Sequence, residues 1–412
     1  MAAGAAFLAN VLVARQLGPA RYSQFAILFS IMTVVTGLSG PALDASLVRF
    51  AARYILPDRD DSAVYFKLVF YVKCCIGVLI LIAGVLLAKP LLHLLFERDS
   101  AVARVPAYAV VLAFFGGAVM TMWGLAQSYY QSHQRFAKYA GFELMNSVLR
   151  VVLVLILLLV HVNSAIIMLC AYVAAPLVVA HVAWLLLPRG LLRVRVTPGV
   201  GIEFVHFAKW VVLAGLFTTV AQRLDILLLG YFKVPEVQVG YYGAAVVLAL
   251  LGDLVVLTLF HVMLPKASQI RTAVEMMEFL RQFRWPSILA GLAAAPIIVF
   301  AGLVVRMTFG QAYAETGRLF AILFAGALAS LACTPPVTAV YALGRSHLIA
   351  VLEGIRLAAS FAIGVWVVPR FGVLGMAWTV SLVRGTIGAV TYVVAYWELR
   401  RIRRLERTAP GA

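Results

Sequence analysis

The sequence predicts an all-α polytopic membrane protein, with about twelve transmembrane helices in two pseudo-symmetric lobes of six around a central cavity. The first observation is composition: 64% of the residues are hydrophobic, 12% are charged and the mean hydropathy is +0.99. Soluble domains carry about twice that share of charge. The second is a series of apolar runs of about 20 residues, the length that crosses a hydrocarbon core of ~30 Å. The third is an internal repeat.

Twelve apolar runs define the predicted spans, with bounds uncertain by a few residues. They lie at 2–14, 23–43, 66–88, 106–129, 142–162, 164–187, 207–230, 241–263, 286–306, 319–342, 348–368 and 373–396. The first run has thirteen residues, which at ~1.5 Å per residue cover about two thirds of the hydrocarbon core. We therefore expect a truncated first helix and a functional start upstream of Met1.

The repeat relates "QRFAKYAGFELMN", which begins at Gln134, to "GRSHLIAVLEGIR", which begins at Gly344. A shift of 210 residues superposes Arg135 on Arg345, Glu143 on Glu353 and Asn146 on Arg356. Each segment leads into the fifth span of its half, and transporters are commonly built from such paired repeats. The repeat predicts an N-terminal lobe at 1–187, a basic cytoplasmic linker at 188–206, a C-terminal lobe at 207–399 and a basic tail at 400–412.

Lysine and arginine are distributed unevenly between the two sides of the predicted membrane. Twenty lie in connections on the side of the chain end and nine on the other side. The positive-inside rule therefore places both termini in the cytoplasm. This bias and attraction to anionic lipid headgroups account for most of the net charge of +17, so we exclude nucleic acid as a partner.

The cysteines indicate packing rather than chemistry. Cys74, Cys75, Cys170 and Cys333 all fall inside predicted spans, without the spacing of a metal site. We predict no metal and no cofactor. No connection is long enough for a soluble catalytic domain, which argues against an enzyme.

Charged residues inside the spans are the candidate functional groups, because each costs about 3 kcal/mol at mid-bilayer and normally faces a cavity or the interior of a helix bundle. The bases are Lys73, Arg150, Arg223, Arg356 and Arg384. The acids are Glu143, Asp225, Asp253 and Glu353, with Asp44 near the end of a span. Lys73 is expected to snorkel to the interface. Glu353 and Arg356, three residues apart, are also compatible with a purely structural pair.

The stretch "TTVAQRLDILLLGYF", residues 218–232, carries two of these charges. On a continuous helix at 100° per residue, five polar side chains share one half of the surface. They are Thr218, Thr219, Gln222, Arg223 and Asp225. This arc predicts that the helix lines an aqueous cavity, with Arg223 and Asp225 at opposite edges of the wetted face.

Four further segments carry a family resemblance: "VLVARQLGPARYSQFAILFS", "LDILLLGYFKVPEVQVGYYGAA", "FGQAYAETGRLFAIL" and "FGVLGMAWTVSL". From about residue 8 to 396 the chain resembles the polysaccharide exporters, the O-antigen and teichuronic-type flippases of the multidrug/oligosaccharidyl-lipid/polysaccharide superfamily. The resemblance implies a flippase that moves an undecaprenyl-diphosphate-linked oligosaccharide to the outer leaflet by alternating access of two six-helix lobes. In "ARQLGPAR", Arg15 and Arg21 match two cavity arginines of the lipid II flippase branch, whereas Tyr22 replaces the usual Asp.

The charges and the resemblance predict a diphosphate site, because guanidinium groups stay protonated and bind phosphate oxygens in a bidentate fork. The predicted ligands are Arg223, Arg356 and Arg384, then Arg150, and by the resemblance Arg15 and Arg21. Arg49 and Arg53 are predicted near the cytoplasmic entrance. The predicted orienting or ion-coupling residues are Asp225, Glu353, Asp253 and Glu143.

Other functions remain open at this point. A drug or cation extruder of the same superfamily would favour an acidic cavity, but the spans hold five bases against four acids before Asp44 is counted. A membrane glycosyltransferase or polymerase would need a large outer loop with acidic catalytic residues. A scaffold would need no charges at mid-span. The expected location is the bacterial cytoplasmic membrane, and the expected partners are the lipid-linked oligosaccharide, membrane lipids, and a polymerase and glycosyltransferases of the same pathway.

Overall fold

The computed structural model describes residues 2–53, 55–56, 59–60, 62–96, 104–188, 190–194, 198–270 and 272–408. Helices dominate these residues, as predicted. They are α1 (Ala2–Ser39), α2 (Pro41–Arg53), α3 (Ala63–Leu95), α4 (Ala107–Ser132), α5 (Phe136–Leu159), α6 (Ala165–Leu185), α7 (Pro198–Ala221), α8 (Leu224–Tyr231), α9 (Glu236–Gln269), α10 (Ala273–Ala294), α11 (Pro296–Val299), α12 (Ala301–Phe309), α13 (Thr316–Ala332), α14 (Thr334–Ala342) and α15 (Ser346–Thr408). A 3₁₀ turn spans Gln311–Tyr313. Strands β1 (Ile55–Leu56) and β2 (Arg59–Asp60) pair antiparallel.

The number of membrane crossings is smaller than twelve when it is judged by length and composition alone. Within the described ranges, eight helices are long and apolar enough to cross, or ten if each of two bent pairs is one span. The predicted count of twelve is therefore not confirmed. Two of the eight, Ala3–Ala51 and His347–Arg404, each contain two predicted spans.

Both of these long helices are interrupted at a glycine. Gly18 has φ 68° and ψ 168° inside α1, and Gly372 has φ 54° and ψ −140° inside α15. These conformations are accessible essentially to glycine alone. The breaks fall at the boundaries predicted between the first and second spans and between the eleventh and twelfth.

The predicted span at 207–230 is broken into two helices. α7 ends at Ala221 and α8 begins at Leu224, with a bend of 47° between them. The prediction of one continuous helix here is wrong, and with it the single polar arc. A similar bend of 46° separates α13 from α14, whose first turn contains Pro335 and Pro336.

The chain divides into two compact units, Met1–Gly240 and Tyr241–Ala412. The core of the first unit joins α2, α3 and α4 through aromatic residues such as Phe50, Phe66 and Trp123. The core of the second unit is built around Met276, Phe279 and Leu399. α7 and α8 pack on α1, α2 and α3 in the first unit, so this division follows Gly240 instead of the predicted linker. Residues 198–206 of that linker are helical. The assignment of two six-span lobes stays a prediction.

The two repeat segments contain the same kind of turn between helices. α4 ends at Ser132 and α5 begins at Phe136, and 210 residues later α14 ends at Ala342 and α15 begins at Ser346. The turn residues Gln134 and Gly344 both have positive φ, 55° and 71°. The same three backbone hydrogen bonds close both turns, for example Arg135 N–H to Tyr130 O and Arg345 N–H to Val340 O. These are helix-terminating turns with a left-handed residue after the last turn.

Candidate functional site

The basic side chains predicted inside the spans fall into two groups. Lys73, Arg356 and Arg384 each form an ion pair with a carboxylate. Arg150 and Arg223 form no ion pair within 4.0 Å among the residues that the structure describes. The two groups therefore differ in what they can offer to a ligand.

Lys73 lies fully buried between three helices of the first unit. Its Nζ is 2.5 Å from Asp44 Oδ1 of α2 and also donates to the carbonyl oxygen of Thr121 on α4, at 3.0 Å. The expectation that Lys73 snorkels to the interface is wrong. α3 packs along α4 with Lys73 on the contact face, so the ammonium pairs with Asp44 instead of extending toward water.

Arg384 of α15 binds Asp253 of α9 in the second unit. Nη2 contacts Oδ1, Nη1 lies 3.4 Å from Oδ2, and Nε donates to Ser330 Oγ of α13 at 3.1 Å. The structure thus brings two predicted site residues together and engages three nitrogens of the guanidinium. A role of Arg384 as a substrate ligand stays a prediction.

Glu353 and Arg356 pair along one face of α15. Arg356 Nη1 lies 3.0 Å from Glu353 Oε2 and 3.2 Å from Oε1. Both side chains are about one fifth exposed, 19% and 18%. The contact is the one that a spacing of three residues predicts.

Arg223 occupies the break between α7 and α8. It has a non-helical backbone and is the N-cap residue of α8. Its guanidinium carbon lies 5.3 Å from the centre of the Phe29 ring of α1, within the range of a cation–π contact. Arg223 is partly exposed, and its Nε is buried without a hydrogen-bond partner.

Asp225 differs from its predicted place on a wetted face, since only 4% of it is exposed. Its Oδ1 accepts a hydrogen bond from the N–H of Ile226 at 2.8 Å. A carboxylate in the first turn of a helix is favoured by the unpaired N–H groups there. The break at Arg223 creates this helix start, which explains why Asp225 turns inward. It remains close enough to interact electrostatically with Arg223.

Arg150 sits on α5 in an arrangement like that of Arg223. Its guanidinium carbon lies 4.9 Å from the centre of the Tyr172 ring of α6, and its Nε is buried without a hydrogen-bond partner. Glu143, two turns earlier on α5, accepts a hydrogen bond from Gln127 Nε2 of α4 at 2.5 Å. Among the described residues Glu143 therefore contacts an amide, and the structure does not bring it to Arg150.

An aromatic bridge, formed by Phe29 and Tyr172, links the two arginines. The two rings meet edge to face with centres 5.5 Å apart, and Phe25 contacts both. Arg223 lies against Phe29 at one end and Arg150 against Tyr172 at the other. These two rings do not stand out in the sequence, because aromatic side chains make up 11% of the chain and only the fold brings these two together.

Buried polar atoms without partners occur on both arginines, on Tyr172 of the bridge, and one helical turn from Arg150 on α5. They are Asn146 Oδ1, Arg150 Nε, Tyr172 Oη and Arg223 Nε. Asn146 lies one turn before Arg150 on the same face of α5. Such atoms are rare in folded proteins and need an explanation, for example a missing ligand or water. In the amino-acid sequence, Asn146 stands out only through its place in the repeat.

The remaining predicted ligands lie on the surface of the first unit. Arg15 and Arg21 flank the break at Gly18 and both are exposed, as is Arg49 of α2. Arg53 ends α2, and its side chain lies outside the described residues.

In the described ranges, no three His, Cys, Asp or Glu side chains are grouped to hold a metal ion. The four cysteines are free. The arrangement around the bridge instead offers hydrogen-bond donors and positive charge, which suits an anion.

Residues 1–271 match the polysaccharide biosynthesis protein family. This match covers more than half of the chain. The chain belongs to that family. A Shigella flexneri protein that bears the name O-antigen transporter is 22% identical over 184 residues. The alignment spans 43% of this chain, and the chain spans only 43% of the length of that curated relative.

Two solved structures show the fold of this polysaccharide biosynthesis protein. A multidrug resistance MATE-family transporter of the MOP superfamily, in an inward-facing conformation, superposes with a TM-score of 0.79 at 13% identity, over 98% of this chain and 96% of the other. The lipid II flippase MurJ, in an inward-closed conformation, superposes with a TM-score of 0.71 at 12% identity, over 98% and 88%. The family member is a multi-pass membrane protein of the MOP fold. Both of these solved structures are of transport proteins, and at 12% and 13% identity the likeness shows the fold.

Proposed function

We propose that this protein is a flippase that moves an undecaprenyl-diphosphate-linked oligosaccharide from the cytoplasmic to the outer leaflet of the bacterial cytoplasmic membrane. Transport proceeds by alternating access and serves surface polysaccharide biosynthesis. Membership of the polysaccharide biosynthesis family, the name of the Shigella flexneri relative and the MOP fold all support this proposal.

The observation that carries the proposal is the state of Arg150 and Arg223. Both lie within predicted spans, and neither has a carboxylate within ion-pair distance among the described residues. A charge at mid-membrane costs about 3 kcal/mol, so a guanidinium that no carboxylate approaches within ion-pair distance is well suited to receive an anionic partner from a ligand. A lipid-linked diphosphate supplies negative charge and the oxygen pairs that a guanidinium binds.

The orientation and the partners belong to the same proposal. The excess of lysine and arginine on one side supports cytoplasmic termini, and with them loading of the substrate from the cytoplasm. The lipid-linked oligosaccharide and membrane lipids are the direct partners. A polymerase and glycosyltransferases of the same pathway act before and after this step.

The test uses the full-length protein in lipid vesicles that contain a fluorescent undecaprenyl-diphosphate-linked oligosaccharide. Loss of signal to a membrane-impermeant quencher reports movement between leaflets. We expect transport by the wild-type protein and by Arg370→Gln, whose side chain is exposed against Trp366 in the second unit. The double variant Arg150→Gln, Arg223→Gln should lose it. Inactive wild-type protein, or an active double variant, would contradict the proposal.

The alternative function is that of a drug or cation extruder of the same superfamily. Such a protein would need negative charges free to meet a cation. Here Asp44, Asp253 and Glu353 each contact a basic side chain, and Glu143 accepts a hydrogen bond from the Gln127 amide, which favours the flippase. Uptake of a fluorescent organic cation by the same vesicles, without movement of the glycan, would reverse this ranking.

A further inference from the structure

The strongest unexplained feature of the molecule is the cluster of unpartnered polar atoms at the aromatic bridge. Of the seven buried side-chain nitrogen and oxygen atoms without a partner in the described ranges, three belong to Arg150, Tyr172 and Arg223, and a fourth, Asn146 Oδ1, lies one helical turn before Arg150. Tyr172 and Asn146 are only 1% and 3% exposed, so bulk water does not satisfy them. Such atoms are rare in folded proteins, and a ligand, an ion or an ordered water commonly completes them.

The way in which the bridge holds the arginines leaves their donors available. A ring face attracts a guanidinium through its quadrupole and accepts none of its in-plane hydrogen bonds. Phe29 and Tyr172 thus fix Arg223 and Arg150 without consuming the donors, in contrast to Asp253 and Ser330, which engage Arg384. Phe29, Arg150 and Arg223 are partly exposed, so one side of the cluster is open.

We propose that the bridge and its flanking groups form a subsite for a phosphorylated sugar, in which Tyr172 and Asn146 contact the ligand directly and Phe29 positions Arg223. The subsite rests on the proposed flippase function and specifies which end of the substrate binds here. The two guanidiniums and the Tyr172 hydroxyl donate to phosphate oxygens. Asn146 Oδ1 is an amide oxygen, which can accept a hydrogen bond but cannot donate one, and it accepts from a hydroxyl of the adjoining sugar.

Removal of the Tyr172 hydroxyl separates binding from stability. If the hydroxyl stabilised the fold, its deletion would destabilise the protein. A buried hydroxyl without a partner costs stability in the free protein. Tyr172→Phe should therefore keep or raise the thermal stability of the free protein while it weakens ligand binding.

The experiment measures binding of two probes to full-length protein in lipid nanodiscs by calorimetry. The probes are inorganic pyrophosphate and glucose 1-phosphate. We expect Tyr172→Phe to weaken both by about tenfold, since the hydroxyl donates to a charged oxygen. Asn146→Leu should weaken glucose 1-phosphate by about fivefold and leave pyrophosphate unchanged, since its partner is a neutral hydroxyl. Tyr108→Phe, at an exposed tyrosine of α4, is the matched control and should change neither.

Two substitutions of Phe29 test whether its aromatic ring face positions Arg223. Phe29→Leu keeps an apolar side chain without a ring, and Phe29→Tyr keeps the ring. We expect the leucine variant to weaken pyrophosphate binding by about fivefold, the lower range of a cation–π contact, and the tyrosine variant to restore it. Equal binding by the two variants would remove Phe29 from the positioning role.

The results distinguish this subsite from the flippase proposal. If wild-type protein binds neither probe, or if Tyr172→Phe and Asn146→Leu bind both as tightly as wild type, the subsite is wrong, whatever the vesicle assay shows. If the probes bind as expected but the lipid-linked oligosaccharide does not cross the vesicle membrane, the subsite stands as a phosphosugar site and the flippase proposal fails.

Discussion

At the scale of single residues, the surroundings of each intramembrane arginine decide what it can do. Arg384 places three nitrogens on Asp253 and Ser330, so a ligand that binds it must compete with the protein. Arg223 rests on the face of Phe29 with its Nε unpartnered, so a ligand adds contacts without breaking any described ones. The residue type alone does not separate these two arginines; the packing of their helices does.

Arg223 is the residue where charge and shape can be tested separately. We expect Arg223→Ala to abolish glycan export in cells, and Arg223→Lys not to restore it, because an ammonium keeps the charge but lacks the planar fork and stacks less well on a ring. Loss of a charged hydrogen bond of ~1.5–3 kcal/mol predicts a decrease of roughly ten- to a hundredfold. Surface polysaccharide is measured, with membrane levels of each variant by immunoblot. Normal polysaccharide in the alanine strain would remove Arg223 from the site.

Lys73 and Asp44 should act as one structural unit. Lys73→Met leaves the Asp44 carboxylate in a buried position without its cation, which costs about 3–5 kcal/mol where such pairs have been broken. The double variant Lys73→Met, Asp44→Leu removes both charges and should recover much of that loss. Thermal stability of the purified proteins checks this expectation. A double variant as unstable as the two single changes added together would mean that the pair is not coupled.

At the scale of elements, the interruptions of the helices differ in how far the sequence reveals them. Gly18 and Gly372 are visible because glycine alone tolerates their backbone angles, and the predicted span boundaries fall on them. The break at Arg223 is invisible in "AQRLDIL", which contains neither glycine nor proline. It arises where α7 and α8 pack against α1, so tertiary contacts override local propensity. The error in the predicted polar arc follows from this break.

Gly18 offers a direct test of a backbone requirement. A methyl group at this position would meet no atom within 4 Å, so Gly18→Ala changes only the cost of the positive φ, about 1–3 kcal/mol. Gly141 in α5 also has open space but is helical, and Gly141→Ala should be neutral or stabilise by up to ~1 kcal/mol. Thermal unfolding of both purified variants measures the difference. Equal stability of the two would show that α1 does not depend on the angles of Gly18.

At the scale of the whole molecule, hydropathy and loop charge determine which features the amino-acid sequence can predict. Membrane class, fold class and the repeat are predictable, because they depend on residue averages and on spacing. Partners across helices are not predictable: Lys73 with Asp44, Arg384 with Asp253, and the two rings between Arg150 and Arg223 meet only after the helices have packed. The division after Gly240 likewise depends on the packing of α7 and α8, which is a property of contacts between helices.

The number of membrane crossings depends on the glycine breaks in α1 and α15. If α1 and α15 each cross twice, Gly18 and Gly372 lie on the outer side, and the ten spans counted by composition become twelve. The test starts from a protein whose four cysteines are replaced by serine. Arg21 and Arg370 are exposed positions beside the breaks. We expect Arg21→Cys and Arg370→Cys to react with an impermeant maleimide on intact spheroplasts. Arg401→Cys, in the predicted cytoplasmic tail, should react only after the membrane is opened, since an excess of basic residues keeps that side inside. Arg370→Cys could instead fail to react on intact spheroplasts and react only after permeabilisation. The break in α15 would then not reach the outer surface, and the prediction of twelve crossings would be wrong.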